Sequence, residues 1–299
     1  MKKSSIAFVL MAGSLWGFMG VFVRRLNENG LSSMNIVALR AIATFLLMGV
    51  FIAIYDRKLF RIKLKDIWCF VGTGVLSIVF FNFCYFKAIT LTTLPVAAVL
   101  LYTAPAIVTV ISAVLFKERI NKAKVMALIL TFIGCVMVTG IVGAKMMING
   151  KGLLFGLGAG LGYALYSIFS RFAIIKGYHS FTIAFYTFTF AMIATVPFSD
   201  YKAICMVAFK DVESLVFCLV FGMVSTVLPY IFYNLGMKGL DNSKASIIAS
   251  IEPVMASAIG IIAYDESVTL AQIAGIALVI FSIAMCNLNV KENKENTIL

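Results

Sequence analysis

Residues 93–118 read TLPVAAVLLYTAPAIVTVISAVLFKE and residues 241–266 read DNSKASIIASIEPVMASAIGIIAYDE, two apolar stretches with matching prolines and acidic residues. Pro105 corresponds to Pro253, and Lys117-Glu118 corresponds to Asp265-Glu266, at a constant separation of 148 residues. Each stretch is long enough to cross a bilayer as a helix, and each carries a proline in its middle. The pattern therefore predicts an internal repeat built from membrane helices.

The repeat extends toward the N-terminal end of each half. A face of small residues followed by arginine occurs twice, 147 residues apart, at Gly13, Gly17, Gly20 and Arg24 and at Gly160, Ala164, Ser167 and Arg171. Small faces of this kind let helices approach closely in a membrane. Tyr85 likewise matches Tyr233. Five helices per repeat is an odd number, so the second half must lie upside down relative to the first, as in many secondary transporters.

The composition is that of an integral membrane protein. Of 299 residues, 62% are hydrophobic and 13% charged, against about 45–50% and about 25% in soluble domains. Lipid-exposed backbone must bond internally, so the apolar segments are predicted to be helices. We predict an all-α integral membrane fold with ten transmembrane helices in two inverted five-helix repeats, 6–140 and 152–289, followed by a tail, 290–299. The segments are roughly 6–26, 34–55, 67–89, 93–116, 123–142, 152–174, 180–198, 214–236, 244–264 and 268–289.

The net charge of +12 comes largely from short segments between the apolar blocks. The loops 56–66 and 117–122 are rich in Lys and Arg, whereas their counterparts in the second half carry few positive charges. The positive-inside rule places these loops and both termini in the cytoplasm of a cell whose plasma or inner membrane the chain spans. The basic charge is thereby assigned to topology rather than to nucleic-acid binding.

The joint pattern resembles the EamA-type members of the drug/metabolite transporter superfamily. The residues that carry the resemblance are Ala104-Pro105 with Lys117-Glu118, Glu252-Pro253 with Asp265-Glu266, the passages 83–89 and 92–97, Leu39-Arg40 and Trp16-Gly17. The resemblance implies a five-plus-five inverted fold, cytoplasmic termini and a central cavity. It also implies the movement of a small organic solute, often the export of amino acids or related metabolites.

Two charged residues inside the apolar segments are candidates for function. Glu252 lies well inside segment 9, where a lone charge is costly and usually faces a cavity or a partner. It is interpreted either as a site for a substrate ammonium or a proton, or as a structural residue, protonated or paired with Arg40 or Lys87. Arg40 lies early in segment 2, where it either reaches the membrane interface or binds a substrate carboxylate.

Aromatic and amide side chains form the second group of candidates. Several of them match across the repeat or share a helical face, which predicts the lining of a cavity that binds an organic cation or an amino acid. The alternative is packing between helices. These cavity candidates are Trp16, Asn82, Tyr85, Tyr163, Tyr166, Tyr230, Tyr233 and Asn234.

The sequence favours a transporter over an enzyme. With His179 as the single histidine and no Cys-x-x-Cys motif, the residues predict no catalytic triad, no metal site and no cofactor. The expected function is alternating-access transport of an amino acid, an amine or a similar metabolite, as an exporter and with proton coupling. The expected partners are the small-molecule substrate and the lipid bilayer, and a homodimer is left open. The alternative is a non-transporting receptor or assembly scaffold.

Overall fold

A computed structural model describes residues 2–141 and 149–288, and within those ranges the chain contains helices and no strand. A short helix, Tyr201–Ala208, lies on the surface between the seventh and eighth long helices. The long helices are α1 Lys3–Glu28, α2 Ser33–Tyr55, α3 Leu64–Leu91, α4 Leu94–Leu115, α5 Lys122–Val138, α6 Gly150–Ile175, α7 Ser180–Phe198, α8 Val212–Met237, α9 Asn242–Tyr264 and α10 Leu270–Leu288.

Eight of these helices are long and apolar enough to cross a membrane, namely all except α5 and α10. The prediction of an all-helical, multi-pass membrane protein is confirmed. The apolar segment predicted at 123–142 is helical over Lys122–Val138, and its last residue lies outside the described part of the chain. The segment predicted at 268–289 is helical from Leu270, while residue 289 and the predicted tail 290–299 lie outside the described residues.

The shorter helices α5 and α10 pack against each other. At 1.5 Å per residue the 17 residues of α5 reach about 26 Å, somewhat less than a hydrocarbon layer of about 30 Å. A Cβ on Gly134 would lie 2.9 Å from the Gly275 carbonyl oxygen, so the two backbones are in direct contact. Thr131 and Ser282 share a buried hydrogen bond of 2.7 Å across the same interface. Small residues therefore set the spacing of this pair.

Four helices are interrupted at repeat-related positions. In α4 the helical ladder stops at Tyr102 and restarts at Ala104, and in α9 it stops at Ser250 and restarts at Glu252. The prolines one residue into each restart have no N–H to donate, so the ladder cannot pass through them. In α3 and α8 the irregularity is a π-helical segment, Gly72–Val79 and Met223–Val227.

The ends of α4 and α9 also match. Lys117 and Asp265, 148 residues apart, both adopt left-handed backbone conformations, with φ of 55° and 50°. This conformation is uncommon for residues other than glycine and closes helices at their C-terminal ends. The next residue, Glu118 or Glu266, returns its backbone N–H to a carbonyl oxygen six residues earlier, at 3.3 and 3.2 Å. The matching acidic residues of the sequence therefore occupy equivalent backbone positions.

Helix contacts between the two halves repeat in pairs. The contact of α1 with α8 and α9 is matched by the contact of α6 with α3 and α4. The contact of α2 with α8 is matched by that of α7 with α3. Three pairs match themselves, α2 with α7, α4 with α9 and α5 with α10. Each half thus completes the packing of the other in the same way.

The two ends of the bundle differ in charge. Lys176 contacts Asp66, and Lys124 contacts Asp241, which places the loops before α3, α5, α7 and α9 at one end. This end carries the Lys-rich and Arg-rich loops 56–66 and 117–122, and we call it the basic end. The opposite end, where α1 and α3 terminate, carries Asp and Glu as well as Lys and Arg, and we call it the mixed-charge end.

Candidate functional site

A cavity of about 490 Å³ lies between α1, α2 and α3. It opens at the mixed-charge end, where Asn27, Thr90 and Leu94 of its wall are exposed. Most of the wall is apolar and includes Val37, Phe81 and other aromatic and aliphatic side chains. The volume falls within the range of about 300–1,000 Å³ that is typical of small-molecule sites.

Arg40 lies in the wall of this cavity and is only 4% exposed. Its Nη1 donates to the Met19 sulfur at 2.8 Å. Within the described part of the chain, Nε and Nη2 of Arg40 have no hydrogen-bond partner. The interpretation that Arg40 reaches the membrane interface is therefore wrong, because α1 and α3 cover the side chain and leave it facing the cavity.

Asn82 and Tyr85 of α3 also line the cavity. The Nδ2 of Asn82 donates to the Ile78 carbonyl oxygen at 2.7 Å. The rings of Phe81 and Tyr85 lie 5.8 Å apart along the same wall. The polar groups of α3 are thus interleaved with aromatic surface.

A cluster of aromatic rings lies deeper in the bundle. Trp16 is the centre of this cluster, with ring centroids 6.3 Å from Tyr163, 5.2 Å from Tyr230 and 5.4 Å from Tyr233. Tyr166 extends it, 4.8 Å from Tyr230. These five candidates share one packed cluster, which we call the aromatic core, and they do not line the open cavity.

Glu252 faces the aromatic core rather than the open cavity. The hydroxyl of Tyr163 donates to Oε2 of Glu252 at 3.0 Å. The carboxylate lies at a narrow gap of about 10 Å³, formed where Tyr102 of α4 and Ser250 of α9 interrupt their helices. No ion pair joins Glu252 to Arg40 or Lys87 among the described residues, although Arg40 and Glu252 attract each other electrostatically.

The repeat-related positions of the second half are closed. Tyr233 and Asn234 occupy the places of Tyr85 and Phe86, and both are buried. The Nδ2 of Asn234 donates to the Tyr166 hydroxyl at 2.9 Å, and the Ser167 and Tyr233 hydroxyls are 2.8 Å apart. These hydrogen-bonded side chains therefore occupy, at the basic end, the space that corresponds to the open cavity at the mixed-charge end.

A carboxylate holds the basic end together. Glu118, at the end of α4, accepts hydrogen bonds from the backbone N–H groups of Asn242 at 2.7 Å and Ser243 at 3.2 Å, and also from the Ser243 hydroxyl. The Nζ of Lys124 lies 3.8 Å from the same carboxylate. An anion at a helix N-terminus meets unpaired N–H groups and the positive end of the helix dipole. Glu118 thus fastens α4 to the first turn of α9.

A second contact at the basic end joins α6 to the loop between α8 and α9. The Nη1 of Arg171 donates to the carbonyl oxygens of Met237 at 2.6 Å and Leu240 at 3.2 Å. At the opposite end, the repeat-related pair Arg24 and Glu266 forms an ion pair of 3.3 Å that is about half exposed. Arg24 and Glu266 are the repeat counterparts of Arg171 and Glu118. Arg171 and Glu118 therefore close the basic end, whereas their counterparts leave the mixed-charge end open.

Loops from the two halves are tied together by Asp66. Its carboxylate lies 2.6 Å from Nζ of Lys176 and accepts a hydrogen bond of 2.8 Å from the Tyr178 hydroxyl. Asp66 beside the ammonium group raises the pKa of Lys176. Burial of His179 and the charge of Lys238 lower the pKa of the His179 imidazole. The Nδ1 of His179 accepts a hydrogen bond from the backbone N–H of Phe181 and thereby caps α7.

The structure thus divides the sequence-predicted candidates between two places. Arg40, Asn82 and Tyr85 line the open cavity, while Glu252 and Asn234 accompany the aromatic core. Sequence reasoning missed Met19 and Phe81 in the cavity wall, because apolar residues on a membrane helix carry no mark of which neighbour they face. It noted Glu118 without predicting its contacts with the start of α9.

The fold is that of a multi-pass membrane protein, and its one-sided cavity has the volume of a small-molecule site. A family model described as "EamA-like transporter family" matches the chain twice, over residues 3–140 and 150–288. The chain therefore belongs to the EamA-like transporter family. It is a transporter-family protein and not an enzyme.

Relatives that resemble the whole chain carry transporter names. An uncharacterized transporter of Archaeoglobus fulgidus is 29% identical over 92% of this chain and 93% of its own. The uncharacterized inner membrane transporter YicL of Salmonella typhimurium is 22% identical over 94% of each chain. A solved structure titled "Crystal structure of protein" shares the fold, with a TM-score of 0.78 and 18% identity over 98% of this chain and 99% of that one.

Proposed function

We propose that the chain is a secondary transporter that moves a small organic metabolite across the cell membrane by alternating access. The observation that carries the proposal is the asymmetry between repeat-related positions. The cavity beside Asn82 and Tyr85 is open, whereas Tyr230 and Tyr233 are buried in the second half and Tyr233 shares a hydrogen bond with Ser167. Two related halves that exchange these arrangements would carry a solute from one side to the other.

The proposal includes ten membrane spans in two inverted repeats. The paired helix contacts, the matching breaks and the matching left-handed residues Lys117 and Asp265 support the repeat relation. The small-residue contact of α5 with α10 supports membrane insertion of the two shorter helices. Shorter helices are accommodated by local thinning of the bilayer at modest cost.

The proposed orientation follows from charge. The basic end, where α1 begins and α10 ends, belongs in the cytoplasm by the positive-inside rule. The cavity then opens to the outside, and the contacts of Glu118 and Arg171 close the cytoplasmic side. The inner membrane named for the Salmonella relative supports a location in the cell membrane.

Alternating access requires the two halves to exchange their open and closed arrangements, and we expect α4 and α9 to bend at their breaks when this happens. Tyr102 and Ser250 lack continuous helical hydrogen bonds around them, and Glu252 lies beside both. Helix interruptions inside a membrane are tolerated where they line a cavity or pack against protein. We place proton coupling at Glu252, which has a phenolic partner, Tyr163, and no opposite charge in direct contact among the described residues.

The solute is a metabolite of the size of an amino acid or an amine, and the direction we propose is export. Flux of a labelled panel of amino acids, amines and organic acids into proteoliposomes, with and without a pH gradient, tests the function. We expect gradient-driven flux in the wild type and its loss in Glu252→Gln. Flux that is equal in the folded wild type and variant would make Glu252 structural. No flux of any panel member would favour the non-transporting alternative.

A further inference from the structure

The guanidinium of Arg40 lines the cavity and has no role in the function proposed above. We infer that the cavity binds an organic anion, with the carboxylate on Arg40 and an apolar body against the aromatic walls. This inference rests on the proposed transport function and specifies its substrate class. It departs from the sequence-based expectation of an amino acid or an amine.

Arg40 is buried without adequate acceptors. A guanidinium offers five N–H donors, and here one nitrogen meets only the Met19 sulfur, which is a weak acceptor. Nε and Nη2 are buried and have no partner within the described residues. Burying a charge is costly unless it is paired and hydrogen-bonded. A bound carboxylate would supply the missing acceptors, because its two oxygens match the fork of a guanidinium.

The charge of the cavity wall selects the sign of the solute. Among the described residues that line the cavity, Arg40 is the one with a formal charge. The other polar groups of the wall are uncharged amides and hydroxyls, at Asn27, Ser33, Asn82, Tyr85 and Thr90, and the remaining lining side chains are apolar. A cation would meet a like charge there and no carboxylate. An apolar carboxylate would meet both a positive centre and apolar surface.

Glu252 does not provide an amine site in this cavity. Its carboxylate lies in the separate gap at the helix breaks and accepts a hydrogen bond from Tyr163. Its attraction to Arg40 acts through space and leaves the guanidinium donors unsatisfied. The acidic residue is thus not part of the wall that surrounds the solute.

The repeat gives an independent argument. Counted from the first residue of each helix, Ser33 and Ser180, the counterpart of Arg40 in α7 is Thr187. Thr187 shares a buried hydrogen bond of 2.6 Å with Thr73, so this position of the fold is stable without a charge. Packing at this position of the repeat therefore does not by itself require an arginine, which favours a role for Arg40 toward a ligand.

A matched series of ligands with one phenyl body tests the inference. The probes are 3-phenylpropionate as anion, phenylalanine as zwitterion, 2-phenylethylamine as cation and 3-phenylpropan-1-ol as neutral molecule. Calorimetry on the full chain in nanodiscs measures binding. We expect the anion to bind at least about tenfold more tightly than the alcohol, as one charge-assisted contact allows.

Variants of Arg40 separate ligand binding from folding. Arg40→Lys keeps the charge but loses the fork, and we expect it to weaken anion binding about tenfold. Arg40→Met should remove the preference for the anion while leaving the Tm equal or higher, since it removes an unpaired buried charge. Lys87→Met is the matched control, because Lys87 is exposed on α3 and does not line the cavity.

Tightest binding of the amine or alcohol, an anion preference that survives in both Arg40 variants, or no binding of any probe would overturn the inference. A lower Tm in Arg40→Met would point to a structural arginine and would also count against it. Failure of the transport function is a different result, namely no flux of any panel solute through the wild type. Flux of amines that is independent of Arg40 would retain the transporter and reject the anion.

Discussion

The carboxylate of Glu118 accepts a hydrogen bond of 2.7 Å from the backbone N–H of Asn242, the first residue of α9, across 124 positions of sequence. Its repeat counterpart Glu266 makes no comparable contact with the start of α4 in the described residues and pairs with the exposed Arg24. At the corresponding positions α4 has Leu94 and Pro95, which offer neither a hydroxyl nor a second N–H. The two ends of the bundle therefore differ in the strength of their closure.

This asymmetry predicts the effect of Glu118→Gln. Losing the charge-assisted bonds should favour opening of the basic end by about 1.5–3 kcal/mol, or roughly ten- to a hundredfold. Ser170 is buried on α6 near the basic end. The cysteine of Ser170→Cys should react with a maleimide only when the basic end opens. Cys205, the exposed native cysteine among those described, is replaced by serine in all variants.

Glu266→Gln is the matched control for this experiment. Its ion pair with Arg24 is half exposed, and such pairs contribute about 0–1 kcal/mol. We expect it to change the labelling of Ser170→Cys by no more than about fivefold. Equal acceleration by both substitutions would contradict the assignment of Glu118 to closure of the basic end.

The contact of α1 with α9 depends on Gly17. A Cβ at this position would lie 2.6 Å from the Met255 Cβ and 3.0 Å from the Glu252 carbonyl oxygen. We expect Gly17→Ala to lower the Tm, because overpacking typically costs about 1–3 kcal/mol.

Gly20 provides the control on the same helix, since nothing lies within 4 Å of a Cβ placed there. Gly20→Ala should leave the Tm unchanged or raise it, because alanine is about 0.5–1 kcal/mol better than glycine inside a helix. A lower Tm for Gly20→Ala than for Gly17→Ala would contradict the predicted packing of α1.

The loop contact at Asp66 predicts a pH-dependent contribution to stability. Asp66→Asn should lower the Tm at neutral pH, because the amide cannot replace the charge that Lys176 meets at 2.6 Å. Asp66 raises the pKa of Lys176, so the ion pair is present at neutral pH and is lost as the pH rises through that raised pKa. The Tm difference from the wild type should therefore narrow at alkaline pH. Lys65 is an exposed neighbour of Asp66, and Lys65→Gln should leave the Tm unchanged at both neutral and alkaline pH.

The bond from Tyr163 to Glu252 predicts a change in proton coupling. Tyr163→Phe removes the hydroxyl that lies 3.0 Å from the carboxylate. We expect gradient-driven flux to fall about tenfold to a hundredfold, because a hydrogen bond to a charged group contributes about 1.5–3 kcal/mol. Tyr85→Phe, in the wall of the open cavity, should preserve the ratio of gradient-driven flux to exchange flux. A larger loss of gradient-driven flux in Tyr85→Phe than in Tyr163→Phe would contradict the assignment of proton coupling to Glu252.

The sequence predicted those features that depend on local chemistry or on the repeat. Proline positions predicted the breaks before Pro105 and Pro253, and composition predicted the helices. The environment of Arg40 could not be predicted, because its burial depends on Met19 and on α3, which are distant in sequence. Glu118 shows the same limit, since the donors to its carboxylate lie at the start of α9 and nothing local to α4 identifies them.

Side-specific labelling tests the central claim, alternating access between the two ends of the bundle, most directly. Asn27→Cys at the cavity mouth and Ser170→Cys on the closed path are reacted with an impermeant maleimide in right-side-out and inside-out vesicles. We predict that Asn27→Cys reacts only from outside. A transported solute should increase the reaction of Ser170→Cys from inside. Reaction of Asn27→Cys from inside, or labelling of Ser170→Cys that no transported solute changes, would contradict the account.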